Sequence, residues 1–154
     1  MYNITDQHYM TDKPVIQRVV VGAVVFNKEG KLLIVQRNKD EDIYPEMWEL
    51  PSGKREFLET SNDALVREVK EEVGIDIKVI QPFSVFEYQI EKPDQLRDST
   101  QINFIVTADS TDVKLSEEHQ AFAWISKDEI SKYGVSDSTK EVILKAFETY
   151  SKLS

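Results

Sequence analysis

Hydrophobic residues near the start of the chain form two runs that are rich in β-branched side chains. Residues 17–26 (QRVVVGAVVF) and 31–37 (KLLIVQR) are separated by NKEG, a short turn that contains glycine. Apolar runs of this length, bounded by turn residues, are typical of buried strands. The pattern therefore predicts a β-hairpin. The charged segment 38–47, which contains Pro45, is predicted to be a loop.

Residues 61–73 (SNDALVREVKEEV) follow a helical period instead. Thr60 or Ser61 supplies an N-cap, Asp63 lies in the first turn, and Gly74 follows the last turn. At roughly 100° per residue, apolar side chains gather on one side of this helix and acidic side chains on another. The apolar side consists of Leu65, Val66, Val69 and Val73, and the acidic stripe consists of Glu68, Glu71 and Glu72.

The second half of the chain predicts further strands and a closing helix. One or two strands, bent at Pro82, are expected from the partial alternation of apolar and polar residues after the first helix. A polar loop, EKPDQLRDST, is expected to join them to the next strand. The predicted segments are strands at 75–90, 101–108 and 121–125, the loop at 91–100, and a helix at about 137–150. This order implies a mixed sheet covered by at least two helices.

Composition limits the class of protein. A chain of 154 residues with 40% hydrophobic residues is most simply one globular domain, predicted here at 15–154 and preceded by a polar N-terminal tail at 1–14. The absence of cysteine excludes disulfides and thiolate metal sites. No stretch approaches the length of a membrane span or has the form of a secretory signal, so a cytoplasmic location is the default expectation.

The net charge of −9 argues against generic binding of a nucleic-acid backbone, which requires clustered lysine and arginine. The acidic stripe has two readings. On a solvated helix face, each like-charged pair costs only about 0.2–0.5 kcal/mol. If the stripe is partly buried, two carboxylates about 5 Å apart repel by roughly 3 kcal/mol, and the site then requires protonation or a cation. Mg²⁺ suits oxygen ligands and substrate phosphates, and Mn²⁺ is an expected substitute.

The stretch from Gly53 to Ile75 resembles the signature of the Nudix hydrolases, the MutT-like family. That signature is G-x5-E-x7-R-E-U-x-E-E-x-G-U, with U aliphatic, and every fixed position is filled in GKREFLETSNDALVREVKEEVGI. The preceding hairpin, the WELPSG approach to the box, and EEHQAFAWIS near the end also resemble the family. The resemblance implies an α/β fold, the Nudix-type α/β/α sandwich with a mixed central sheet.

The resemblance assigns roles to residues at matching positions. The expected metal ligands are Glu68, Glu71, Glu72, the loop residue Glu59 and the backbone carbonyl of Ser52. Arg67 is expected to pair with a box glutamate and orient it. Glu118, or Glu117 beside it, and Glu72 compete for the role of general base. Ser52 and Leu58 stand where the family often has glycine, which puts the backbone angles there in question.

Substrate contacts are harder to assign from sequence. Arg37, Trp48, Glu49 and Arg97 are candidates for contacts to phosphate or base. Ordinary surface salt bridges for the arginines and core packing for the tryptophan are simpler explanations. His119 is a weaker candidate, because a single histidine near a carboxylate is more often a surface or capping residue. Phe86, Tyr88 and Phe104 alternate as sheet residues do, and packing accounts for them.

The function implied by the resemblance is Mg²⁺-dependent hydrolysis of a diphosphate linkage in a nucleotide. A nucleoside triphosphate, canonical or oxidised, and a nucleoside diphosphate derivative such as ADP-ribose are both expected substrates. Two alternatives stay open: a non-catalytic ligand-sensing module, and a prenyl-diphosphate isomerase, which in its common form uses a cysteine that this chain lacks. The expected partners are a small-molecule nucleotide and a second copy of the chain in a homodimer, with no nucleic acid and no membrane.

Overall fold

A computed structural model describes residues 12–153. Most of the predicted tail therefore lies outside the described residues. The strands are β1 (Val15–Phe26), β2 (Leu32–Arg37), β3 (Trp48–Glu49), β4 (Ser52–Lys54), β5 (Lys78–Glu91), β6 (Leu96–Thr107) and β7 (His119–Ile125). The helices are α1 (Ser61–Val73), α2 (Asp137–Leu153) and a 3-10 helix at Lys127–Lys132.

The seven strands form one mixed sheet. The main order is β3-β2-β1-β6-β5, with β4 paired to β1 and β7 paired to β2. The β1–β6 pair is parallel, and the other pairs are antiparallel. The second half of β1, residues 20–26, is a continuous buried run because both faces of the strand are covered there, as is usual inside a sheet between helices.

The two helices bury opposite faces of this sheet. α1 covers one face through Ala64, Leu65, Val69 and Val73, which pack with Val21, Val25 and Val106. α2 covers the other face through Ile143 and Ala146, which pack with Val24, Phe26, Ile34 and Ile105. The predicted α/β/α sandwich with a mixed central sheet is confirmed.

The local predictions are mostly confirmed. The α1 bounds match, Thr60 is the N-cap, and its side chain accepts a hydrogen bond from the Asp63 backbone N–H. Gly74 ends the helix with a φ of 72°, in the left-handed region that favours glycine. Pro82 lies in an irregular part of β5, where the register with β6 shifts on both sides.

The predicted polar loop at 91–100 is wrong. β5 runs to Glu91 and β6 begins at Leu96, so only residues 92–95 connect them. β6 pairs along its whole length with both β1 and β5, from Val15↔Leu96 onwards. Hydrogen-bond ladders on both sides hold residues 96–100 in a strand despite their polar composition, because sheet formation depends on neighbouring strands as well as on local sequence.

Candidate functional site

The Nudix-like stretch forms a strand, a loop and a helix that bring its glutamates to one end of the sheet. β4 pairs with β1, placing Ser52 opposite Gly22 and Gly53 opposite Val21. The Glu68 side chain of α1 lies directly against Gly53, where a Cβ atom would overlap its carboxyl group. The glycine is therefore required by close approach of helix and strand.

Arg67 links the loop to the helix through its planar guanidinium. It donates two hydrogen bonds to Glu59, at 2.7 Å from Nε and 2.9 Å from Nη2. Its Nη1 also donates to Glu68 Oε1 at 2.8 Å and to Glu71 Oε2 at 3.3 Å. The hydrogen bonds from Arg67 lower the pKa of Glu59 to about 2. The pairing expected of Arg67 thus involves three glutamates at once.

Glu72 is the most buried acid of the site. Its residue is 6% exposed, and one carboxylate oxygen accepts a hydrogen bond from the Ser52 backbone N–H at 3.2 Å. Burial, followed by repulsion from Glu118, Glu68 and Glu49, raises the pKa of Glu72 to about 9. Burial also raises the pKa of Glu68. The acidic stripe is therefore divided: Glu72 is buried and Glu68 half-buried, while the Glu71 side chain is 60% exposed.

A cavity of about 550 Å³ opens beside Glu72, and we call it the glutamate cavity. Six of the predicted site residues line it, namely Arg37, Glu49, Ser52, Glu72, Arg97 and Glu118. Trp48 does not line this cavity. Its ring packs edge-on against Tyr133, with ring centroids 4.8 Å apart, as part of the core beneath α2.

Glu49 is held at the cavity wall by two basic side chains. Arg37 Nη1 lies 3.4 Å from Glu49 Oε1, and His119 Nε2 lies 3.2 Å from Glu49 Oε2. His119 is only 4% exposed. The pairing of β7 with β2 brings His119 to the cavity wall, because His119 lies opposite Arg37 in the register of these two strands. His119, the weaker candidate of the sequence analysis, therefore contacts the site through Glu49.

The floor of the glutamate cavity contains residues that the sequence did not single out as functional. A chain of hydrogen bonds runs from the Tyr88 hydroxyl to Gln101 (3.2 Å), from Gln101 to Asn103 (2.9 Å), and from Asn103 to Ser84 (3.1 Å). Asn103 is 1% exposed. The sequence feature that could have indicated this network is the Asn103 amide inside the apolar run QINFIV, because a buried polar group needs a hydrogen-bond partner.

The donor set suits a divalent cation. Glu68 and Glu72 present carboxylates with low exposure, and the negative charge of Glu68 contributes to the raised pKa of Glu72. A hard divalent ion would offset this repulsion. Among residues 12–153, no three acidic or histidine side chains converge closely enough to form a ready-made metal cage. The carboxylates are instead held by Arg67 and the Ser52 N–H.

Comparison with known proteins identifies the family. The model of the NUDIX domain matches residues 16–146. The chain belongs to the NUDIX family. An uncharacterized Nudix hydrolase, lin0387 from Listeria innocua, is 40% identical over 74 residues, which are 47% of this chain and 44% of that relative. The chain thus matches less than half the length of this relative.

Two other similarities extend over more of the NUDIX domain. A CTP pyrophosphohydrolase of Escherichia coli (strain K12) is 30% identical over 118 residues, covering 77% of this chain and 83% of the relative. The crystal structure of the MutT protein from Methanosarcina mazei Go1 superposes with a TM-score of 0.67 at 25% identity, covering 92% of this chain and 99% of that one. Within residues 12–153, no helix is both long enough and apolar enough to cross a membrane.

Proposed function

We propose that this NUDIX protein is a Mg²⁺-dependent pyrophosphohydrolase that cleaves a diphosphate linkage in a nucleotide by attack of water on phosphorus. The observation that carries the proposal is Glu72, a carboxylate buried beside a cavity and surrounded by Glu68, Glu118 and Glu49. A buried group of acids is costly unless it serves a cation or holds a proton.

The comparisons support the reaction class. Relatives include proteins named as Nudix hydrolases and one named CTP pyrophosphohydrolase. We propose a substrate of the same chemical kind, either a nucleoside triphosphate, canonical or oxidised, or a nucleoside diphosphate derivative such as ADP-ribose. The glutamate cavity, at about 550 Å³, lies within the size range of small-molecule sites.

We propose that the cation is held by Glu68, Glu71 and Glu72, with Glu59 and the Ser52 carbonyl as further ligands. When bound, Mg²⁺ would offset charge on the phosphate oxygens and lower the pKa of water. Arg67 holds Glu59 and Glu68 in orientation through the hydrogen bonds described above. In this arrangement a bound cation would offset the repulsion among the glutamate carboxylates.

The remaining cavity residues divide into binding and proton-transfer roles. Arg37 and Arg97 line the cavity and supply positive charge for phosphate. Glu118 and Glu72 also line it, and we propose that one of the two accepts a proton from the attacking water. Glu118 is exposed and Glu72 is buried, and the two substitutions Glu118→Gln and Glu72→Gln would separate their contributions.

The test is a hydrolysis assay with Mg²⁺ over a panel of nucleoside triphosphates, ADP-ribose and dinucleoside polyphosphates. Glu72→Gln is expected to lower kcat/KM by about 1000-fold, comparable to removing one catalytic electrostatic contact. The matched control is Glu141→Gln, which makes the same change at an exposed position of α2. Binding of nucleotides without hydrolysis by the wild type would instead indicate a sensing module.

We also propose a homodimer and a cytoplasmic location. Light scattering that gave only the monomer mass of 17.8 kDa at micromolar concentration would contradict the dimer.

A further inference from the structure

A second cavity, of about 680 Å³, lies at the start of β1 beside the loop that follows β4. We call it the arginine cavity. Its lining includes four basic side chains, Arg18, Lys54, Arg55 and Arg97, and one acidic side chain, Glu56. This excess of positive charge is notable in a chain whose net charge is −9. The sign of the charge favours an anionic ligand.

The β1–β6 register brings two of these arginines together. Arg18 lies opposite Ser99, and Arg97 lies opposite Ile16. Paired residues, and residues two apart, share one face of a sheet, so Arg18 and Arg97 are diagonal neighbours on the same face. Arg97 lines the glutamate cavity as well. The two cavities therefore meet at Arg97.

Within residues 12–153, neither arginine of this pair has a carboxylate within 4.0 Å. The Arg18 Nε is buried and has no hydrogen-bond partner there. A buried N–H without a partner is uncommon in folded proteins and calls for an acceptor. Burial first, and the nearby charge of Arg97 second, lower the pKa of Arg18, in keeping with two adjacent cations that lack a counter-charge.

The arginine pair is separated from the glutamates along the sheet. Gly22 is the β1 residue opposite Ser52, and Arg18 lies four residues before it, which corresponds to about 13 Å of strand. Tyr88 pairs with Ser99, the β6 residue opposite Arg18, and it also lines the glutamate cavity. Because the two sites are offset along the sheet, a phosphate bound by the arginines would be distinct from a diphosphate bound at the glutamates.

We propose that Arg18 and Arg97 form a second anion subsite, which binds a phosphate of the substrate that is separate from the diphosphate at the glutamates. The guanidinium groups would bind phosphate oxygens in the forked geometry that arginine favours. The substrate class is then a nucleotide with a further phosphate beyond its nucleoside, such as a 3′-phosphorylated nucleotide. This inference rests on the proposed function, because it assumes that a nucleotide occupies the glutamate cavity.

The first experiment uses inorganic phosphate as the probe and requires no turnover. In the full chain labelled with ¹⁵N-arginine, without metal, titration with phosphate is expected to shift the Nε–Hε signals of Arg18 and Arg97 in a saturable way. Arg18→Lys, which keeps the charge and removes the fork, is expected to weaken the response of Arg97 several-fold. The absence of a saturable shift at both arginines of the wild type would overturn the subsite.

The second experiment separates a substrate phosphate from a free phosphate ion. Adenosine 3′,5′-bisphosphate is expected to bind about ten times more tightly than adenosine 5′-monophosphate in calorimetry with Mg²⁺. Arg18→Gln is expected to abolish that preference. Lys145→Gln, which removes a positive charge from the exposed face of α2, should retain it.

Equal binding of the two nucleotides by the wild type would overturn the assignment to substrate, even if inorganic phosphate shifts the arginine signals. Neither experiment depends on hydrolysis. If the chain fails to hydrolyse any nucleotide of the panel, the proposed function fails, while the binding preference still decides whether the subsite exists.

Discussion

The two helices cover opposite faces of one sheet and differ in how they arrange charge. On α2 the signs are mixed, and Lys152 pairs with Glu148 at 3.3 Å one turn away. On α1, Glu68 and Glu72 have low exposure and repel each other. The α2 arrangement favours stability, because opposite charges one turn apart are mildly stabilising. The α1 arrangement opposes stability, which is typical of a site shaped for chemistry.

The largest expected difference between the helices is in pH dependence. The folded-state pKa of Glu72 is about 9, raised by burial and by Glu118, Glu68 and Glu49. Above the ordinary glutamate pKa of 4.5, the unfolded chain loses a proton that the folded chain keeps. The free energy of unfolding should therefore fall as pH rises from about 4.5 to about 9, by at most about 1.4 kcal/mol per pH unit from this group.

Urea denaturation of the metal-free protein at pH 5, 6, 7 and 8 measures this slope. Glu72→Gln should flatten it and make the protein more stable at pH 8. Glu141→Gln on α2 should leave the slope of the wild type unchanged. If the free energy of unfolding depended on pH equally in the wild type and in Glu72→Gln, the buried carboxyl group of Glu72 would not be the cause of the pH dependence.

The next effect concerns Arg67, which counteracts part of the repulsion on α1. Arg67→Gln leaves Glu59, Glu68 and Glu71 without their shared cation, so their carboxylates lose orientation. We expect kcat/KM to fall about 100-fold, as when a second group that orients a metal ligand is removed. Lys145→Gln on α2 is the matched loss of charge and should keep the activity of the wild type. Equal activity of both variants would exclude an orienting role for Arg67.

The α1 side of the site and the cavity floor differ in how far they could be predicted from sequence. The α1 side was predictable because its helix, caps and glutamates lie in one continuous stretch, where local periodicity and spacing apply. The cavity floor was not, because Tyr88 of β5 meets Gln101 and Asn103 of β6 only through the β5–β6 register. The same pairing places residues 96–100 of the predicted loop in β6. His119 was likewise placed by β7–β2 pairing, which no local pattern specifies.

A smaller effect is expected on the α2 side, and it should be confined to stability. Tyr150 stacks on Phe26 with ring centroids 4.0 Å apart. Tyr150→Ala removes this aromatic contact and is expected to lower the free energy of unfolding by about 2 kcal/mol. The value of kcat/KM at a temperature where the variant is folded should not change. A large loss of activity in the folded variant would show that α2 also contributes to the site.

The smallest expected effect is at Leu58, in the loop that leads to α1. Its φ of 63° lies in the left-handed region, and its side chain is fully exposed. The backbone strain is therefore not offset by burial of the side chain. Leu58→Gly should raise the free energy of unfolding by up to about 1 kcal/mol, because the left-handed strain that is removed exceeds the entropy that glycine adds to the unfolded chain. Thermal denaturation would measure the change, and a clear loss of stability would mean that Leu58 makes a contact in solution.

We propose that Glu68 and Glu72 are kept together on α1 because a divalent cation binds there. Titration with Mn²⁺, followed by the EPR signal of the free ion, tests this claim most directly. We expect saturable binding by the wild type, at least tenfold weaker binding by Glu72→Gln, and binding equal to the wild type by Glu141→Gln. No saturable binding by the wild type, or equal affinity in Glu72→Gln, would contradict the account.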